Sequence, residues 1–198
     1  RFERITGHNK LGAVLRGLDL ALDLGINKVK LNTVLLREHT LEDLPRFLAL
    51  VKERRISLRF IELMETGLRR DYFAAQHLSG SVIEEQLIQT GWQRVPREAH
   101  AGPAIEFAHP DYAGRIGLIM PYSKNFCADC NRLRVSSRGK LHLCLFADQG
   151  IDLHPVLEHE DAEALAGFVR QSVCGKQAGH QLAQHHSGAI QHLAMIGG

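Results

Sequence analysis

"NKVKLNTVLLREHTLEDLPRFLALVKERRISLRFIELM", residues 27–64, reads as strand, helix and strand joined by short connections. In "NKVKLNTVLL", Val29, Leu31 and their β-branched neighbours make an apolar run of strand length, with the polar Lys30 and Asn32 embedded in it. "TLEDLPRFLALVKERR" opens on Thr40 with Asp43 three residues on, a start resembling a capping box, while Pro45 predicts that regular helical hydrogen bonding begins no earlier than about that residue. "SLRFIELM" repeats the buried-strand pattern and carries Arg59 and Glu62 inside it.

Upstream, "TGHNKLGAVLRGLDLALDLG" brings back Leu11, Val14, Leu15, Leu18 and Leu22 at three- and four-residue steps, with Gly25 placed as a C-cap. Helix, strand, helix, strand is the pattern of parallel βα units, as in doubly wound sheets or (β/α) barrels. A closed barrel takes about eight strands and roughly 250 residues, so the expectation is an α/β chain whose first part, residues 1–66, is the back end of an incomplete TIM-type barrel. The start at Arg1, without an initiator Met, agrees with a piece of something longer.

Past Gly67 the pattern changes to α+β. "SVIEEQLIQTGW" predicts a helix with Ser81 and Glu84 as its capping box and Gly91 as its stop. Strand candidates follow at "PAIEFAH", "GRIGLIMPY", "NRLRVSS" and "KLHLCLF", the last two turning at Arg138 and Gly139 as a hairpin. A helix from about residue 161 leads to a His-rich tail ending "MIGG", read as solvated. Residues 67–198 are thus expected to form a second, C-terminal domain.

The totals exclude several classes. Apolar residues make up 44% and charged residues 23%, the proportions of a folded globular protein rather than a disordered one. Charges interrupt every stretch that could approach the roughly 18 apolar residues of a membrane span, and no signal peptide is visible. A net charge of +2 from 24 basic and 22 acidic residues makes no global case for nucleic acid or a membrane, so an anion site has to be local. Four cysteines, three of them clustered, predict a metal site in a reducing cytoplasm rather than a disulfide scaffold.

Those three, Cys127, Cys130 and Cys144, are spaced C-x2-C-x13-C. A CxxC loop lets two thiolates converge, and a third from the far strand of a hairpin can close over the same centre. A structural zinc would take a fourth ligand, for which His142 stands two residues before Cys144. The alternative is an iron-sulfur cluster on three cysteines, with one iron open to a non-protein ligand. Arg132 and Arg134, at i and i+2, favour the second reading, because two guanidiniums beside thiolates neutralise an anionic cluster and grip phosphate oxygens.

At this point the sequence resembles a known family. "FCADCNRLRVSSRGKLHLCLF" is similar to the C-terminal cluster motif of the GTP 3',8-cyclases, radical S-adenosylmethionine enzymes that begin molybdenum cofactor (molybdopterin) biosynthesis. "ITGHNKLGAVLRGLDLALDLGINKVKLNTV", "LRFIELMETG", "HPDYAGRIGLIMPY" and the terminal "IGG" resemble further stretches of that family in the same order. The resemblance implies conversion of GTP to (8S)-3',8-cyclo-7,8-dihydroguanosine 5'-triphosphate, with S-adenosylmethionine and two 4Fe-4S clusters in the intact enzyme. It assigns Cys127, Cys130 and Cys144 to the second cluster, whose open iron holds GTP. Arg132 and Arg134, as catalytic and substrate-binding residues, the Leu133 backbone and Lys30 would contact GTP. Met64 would pack on the S-adenosylmethionine adenine, with Asn32 and Arg59 on the same strands, and the Gly-Gly tail would reach into the active site.

Without the family, Lys30 and Arg59 are better read as each satisfied in a barrel-interior ion pair, and Met64 as ordinary core packing. The chain departs from the family in one respect: the radical-generating CxxxCxxC loop is missing, and Cys174, expected to be a buried or neutral thiol, stands alone. The chain by itself is therefore expected to be inactive. It would bring the second cluster and the GTP site, with a homodimer compatible and product handed to the enzyme acting next on the precursor. A truncated, non-catalytic zinc or iron-sulfur binding module, or a nucleotide sensor, is the alternative from outside the enzymes.

Overall fold

The computed structural model describes residues 1–66, 69–98, 101–128 and 130–188. A short helix α1 (Phe2–Thr6) precedes α2 (Leu11–Asp23). Gly25, at φ +73°, ends α2 in the left-handed region, where its N–H reaches the Leu22 carbonyl and that of Ile26 the Ala21 carbonyl. This paired closure needs a residue without a Cβ penalty. Strand β1 (Val29–Leu35), helix α3 (Thr40–Glu53) and strand β2 (Ile56–Glu62) follow as the expected unit, with β1 and β2 parallel and Val29 opposite Ile56.

Helices α4 (Arg70–Gln76) and α5 (Gly80–Gln89) lead to β3 (Gln93–Arg94), β4 (Ile105–Ala108) and β5 (Arg115–Ile119). The sheet order is β1-β2-β5-β4-β3. β5 runs parallel to β2, whereas β4 and β3 add antiparallel to it. The result is a mixed α/β sheet in which a strand from beyond residue 67 continues the one begun by β1 and β2. A second sheet, β6 (Arg134–Val135), β7 (Lys140–His142) and β8 (Ile151–Asp152), is antiparallel. Then come α6 (His154–Leu157), α7 (Ala162–Cys174) and a 3-10 turn at Leu182–Gln184.

Alternation explains where the core sits. Ile56, Leu58 and Phe60 of β2 and Ile116 and Leu118 of β5 point to one side and are buried with Val51 of α3 and Ile83 and Leu87 of α5. Phe47 of α3 meets Phe60 edge to face at 5.3 Å. The other side of β1 and β2 carries Lys30, Asn32, Val34, Ser57, Arg59 and Ile61, which are exposed or half-buried.

Local details correct several expectations. Helix α3 starts at Thr40, five residues before Pro45, and the Thr40 hydroxyl accepts from the Leu36 N–H at 2.8 Å instead of capping forward. That buried bond fixes the entry to the helix, so the missing N–H of Pro45 does not delay it. Helix α5 is capped by Ser79, which accepts from the Ser81 N–H, while Glu84 pairs with Arg94, so no box forms from Ser81 and Glu84. The hairpin turns as expected at Arg138 and Gly139, with Gly139 at φ +63°, but its strands are shorter than the apolar runs. In α2 only Leu18 is buried and Leu22 packs on the core, whereas Leu11, Val14 and Leu15 are exposed. Among the described residues no helix is long and apolar enough to cross a membrane.

Candidate functional site

Register brings the polar face of the sheet together. Lys30 lies opposite Ser57, Asn32 opposite Arg59, Arg59 opposite Gly117, and Gly117 opposite Glu106. A Cβ on Gly117 would stand 2.9 Å from Arg59 Cγ, so the glycine makes the space the arginine occupies. Arg59 Nη2 reaches Glu106 Oε1 at 3.3 Å, the Ser57 hydroxyl donates to the same oxygen at 2.9 Å, and Arg115 Nη1 meets Oε2 at 3.4 Å. Burial alone would raise the Glu106 carboxyl, yet these three donors hold it below the usual carboxylate range. Arg59 therefore has the interior ion pair that its sequence position allowed, and its partner is Glu106.

A cavity of about 930 Å³ opens over this face. Its wall includes Lys30, Arg59, Glu106, Gly102, Phe126 and Arg132. Arg132 lies against Gly102, where a Cβ would come 2.5 Å from Nη2, and the neighbouring Asn131 donates to the Ala101 carbonyl at 3.3 Å. Arg132 is on the loop before β6, not on a strand, so it does not share a strand face with Arg134. Arg134 pairs with His142 in the hairpin and is not part of the cavity wall among the described residues. Leu133 between them is exposed. Met64 is half-buried just past β2, next to the buried Glu65.

Phe126, in the cavity wall, leads directly into the cysteine loop. Cys127, Cys130 and Cys144 are free and half-buried. The Cys130 N–H closes the CxxC turn on the Cys127 carbonyl at 3.1 Å, and the Phe146 N–H approaches Cys144 Sγ at 3.4 Å. Burial pushes the Cys144 thiol up, Cys127 and Cys130 push it further, and the Phe146 N–H and Lys176 oppose them. Among the described residues, however, no three His, Cys, Asp or Glu side chains converge closely enough for one metal ion. His142, the expected fourth zinc ligand, packs on Gly150, its Nδ1 buried without a hydrogen-bond partner. Burial, aided by Lys140 and Arg134, lowers its pKa.

Side chains outside the motif matter here as well. Lys176 Nζ donates to the carbonyls of Cys130 at 3.0 Å and Arg132 at 3.3 Å, and lies 3.8 Å from Cys130 Sγ. Glu65 accepts from Arg70 Nε at 3.0 Å and is 2.6 Å from His185 Nδ1. No spacing in the sequence announces Lys176 or Glu65, whereas the period of two in "PAIEFAH" places Glu106 opposite the apolar side of β4. Cys174 is exposed at the end of α7, not buried. Of the histidines read as a solvated tail, His185 and His186 are exposed and also paired, with Glu65 and with Asp148 at 2.8 Å, while His180 lies beside Phe146 at 5.0 Å. His192 and the Gly-Gly end lie outside the described residues.

Comparison with known proteins places this arrangement in context. Residues 56–182 match the family model described as Molybdenum Cofactor Synthesis C. The GTP 3',8-cyclase of Actinobacillus pleuropneumoniae serotype 5b is 50% identical over 199 residues, a match covering all of this chain and 58% of that protein. Those of Shewanella denitrificans and Haemophilus influenzae are each 50% identical over 198 residues, with 59% of each relative covered. The chain spans less than two thirds of the length of these curated relatives.

Proposed function

The chain belongs to the Molybdenum Cofactor Synthesis C family, and from that premise we propose that it is the C-terminal part of a GTP 3',8-cyclase, carrying the second cluster and the GTP site. In this reading β1 and β2, with residues 1–66, end a partial (β/α) barrel, and residues 67–198 form the cluster-bearing part. The observation that carries the proposal is the cationic cavity whose wall includes Phe126 and Arg132, the residues on either side of the CxxC loop. Its volume suits one nucleotide, since small-molecule sites run about 300–1,000 Å³.

Cys127, Cys130 and Cys144 would hold a 4Fe-4S cluster. The donor chemistry fits: three free, half-buried thiols, two of them in one CxxC turn, are the soft ligands that such a cluster takes. Held by three thiolates, such a cluster would leave one iron open to a non-protein donor. Lys30 and Arg132, both in the cavity wall, would draw the triphosphate into it, and the Arg132 fork suits phosphate oxygens. Arg134 and the Leu133 backbone would complete the substrate side. Arg59, held by Glu106, keeps a fixed position instead of following the ligand, while Asn32 and Met64, which are not in the cavity wall, would contact S-adenosylmethionine.

Holding the ribose and base in register is the contribution of these residues, and orientation of this kind lowers barriers by amounts comparable to general acid-base catalysis or more. The chain has four cysteines, three in the motif, and provides no CxxxCxxC loop, so radical generation is assigned outside it.

The test is iron, acid-labile sulfide and zinc per chain after anaerobic reconstitution, followed by calorimetric titration with GTP. Iron and sulfide near four each, lost in Cys127→Ala, with GTP heat on the loaded protein, support the reading. Zinc that reconstitution does not displace, or a loaded protein silent to GTP, sinks it.

A further inference from the structure

Lys176 is the only cation that the described hydrogen bonds bring to a cysteine sulfur. It stands two residues past the end of α7, where the chain leaves the helix through Gly175. Its half-buried ammonium is fixed by two carbonyl oxygens, that of Cys130 at 3.0 Å and that of Arg132 at 3.3 Å, so it is not a mobile surface charge. The same nitrogen lies 3.8 Å from Cys130 Sγ, and its field extends to Cys144. Two consequences follow from one placement. The carbonyl bonds set the backbone between the second cysteine and the arginine of the cavity wall, and the charge sits beside the Cys130 sulfur.

We propose that Lys176 is a positioning and potential-setting residue of the three-cysteine cluster, joining the CxxC loop to Arg132 and stabilising the more negative, reduced state of the bound group. The inference rests on the proposed cluster and deepens it. A half-buried cation close to a ligand sulfur favours added negative charge, because the pair is less screened than one in open solvent, and charge and hydrogen bonds at the sulfurs are recognised controls of cluster potential. Lysine suits the position better than a distant surface charge, since its three donors serve two carbonyls and the sulfur at once.

The experiment compares the parent chain with Lys176→Met, Lys176→Gln and Lys176→Arg, each reconstituted anaerobically and titrated with dithionite while the cluster signal is followed by electron paramagnetic resonance. Iron and sulfide are assayed on every sample, and far-ultraviolet circular dichroism checks the fold. Removing the charge is expected to make reduction about tenfold less favourable, a midpoint lower by about 59 mV for one electron. Lys176→Gln, which keeps a donor and loses the charge, shifts with Lys176→Met, and Lys176→Arg returns toward the parent. Loss of loading in a folded Lys176→Met that Lys176→Arg restores also supports the proposal. Unchanged midpoints in fully loaded variants overturn it, as does a loading defect that Lys176→Arg fails to repair. A parent chain that takes up no cluster defeats the functional reading itself and this inference with it, whereas a loaded parent with indifferent variants defeats only the inference.

Discussion

Glu62 Oε1 lies 2.9 Å from His77 Nε2, joining the end of β2 to the residue that closes α4. Glu62 is 2% exposed. Burial pushes its carboxyl up to about 7 against the opposing Gly80 N–H, and burial with the charge of Arg37 lowers His77. Near neutrality the contact is a hydrogen bond around one shared proton, since neither group is favoured in its charged form.

The sign of the pH effect follows. As pH rises from about 4.5 to about 7, the unfolded chain releases the Glu62 proton and the folded chain keeps it, so stability contributed below this window is lost across it. The full shift corresponds to roughly 3 kcal/mol. His77 acts oppositely, contributing above 6.5 and losing that contribution as pH falls through its lowered folded value. Glu62→Gln is expected to melt higher than the parent at pH 8 and close to it at pH 4.5. Identical pH slopes in thermal melts of the two proteins would refute this.

Two glycines should separate fold from site. Gly117→Ala places a methyl 2.9 Å from Arg59 Cγ and 3.5 Å from Ala104 Cβ, near the stem of a side chain tied to Glu106. It is expected to cost about 1–3 kcal/mol of stability by urea unfolding. Gly102→Ala meets only the far end of Arg132, which can swing away. Its unfolding midpoint should stay within about 0.5 kcal/mol of the parent, while GTP affinity on the loaded protein falls several-fold. Equal losses of stability in both variants would contradict the assignment.

Leu11, Val14, Leu20, Leu24 and Ile26 are 42%, 43%, 58%, 70% and 52% exposed along and just after α2. Apolar residues at this density, beside the edge strand β1, favour association. The 198-residue chain is expected to self-associate, and Leu11→Lys with Leu24→Lys to reduce the mass seen by light scattering without lowering the melting temperature. A monomer at all concentrations for the parent would argue against an uncovered face.

The parallel unit β1-α3-β2 was legible because period and length agree from Val29 to Glu62: two apolar runs of strand length flank one helical run. The hairpin was legible from Gly139, whose positive φ a turn requires. The caps of α3 and α5 were misjudged because Thr40 and Ser81 are each the right residue type, but a neighbouring group, Leu36 N–H or Ser79, offers the better-placed partner. Strand β5 could not be placed between β2 and β4 from its own residues, since pairing order is decided by contacts far apart along the chain.

For the site, the sequence by itself determined the chemistry on offer: three clustered thiols, arginines beside them, and polar residues on the inner positions of β1 and β2. Motif spacing and alternation are local properties, and local steric rules suffice to express them. Tertiary structure alone decided which of these groups meet. It set Arg132 in the cavity wall and Arg134 against His142, gave Arg59 its partner in Glu106, and carried Lys176 across 46 residues to Cys130. Such pairings depend on how the sheet and α7 pack, and packing is a sum over many long-range contacts that no short stretch of sequence contains.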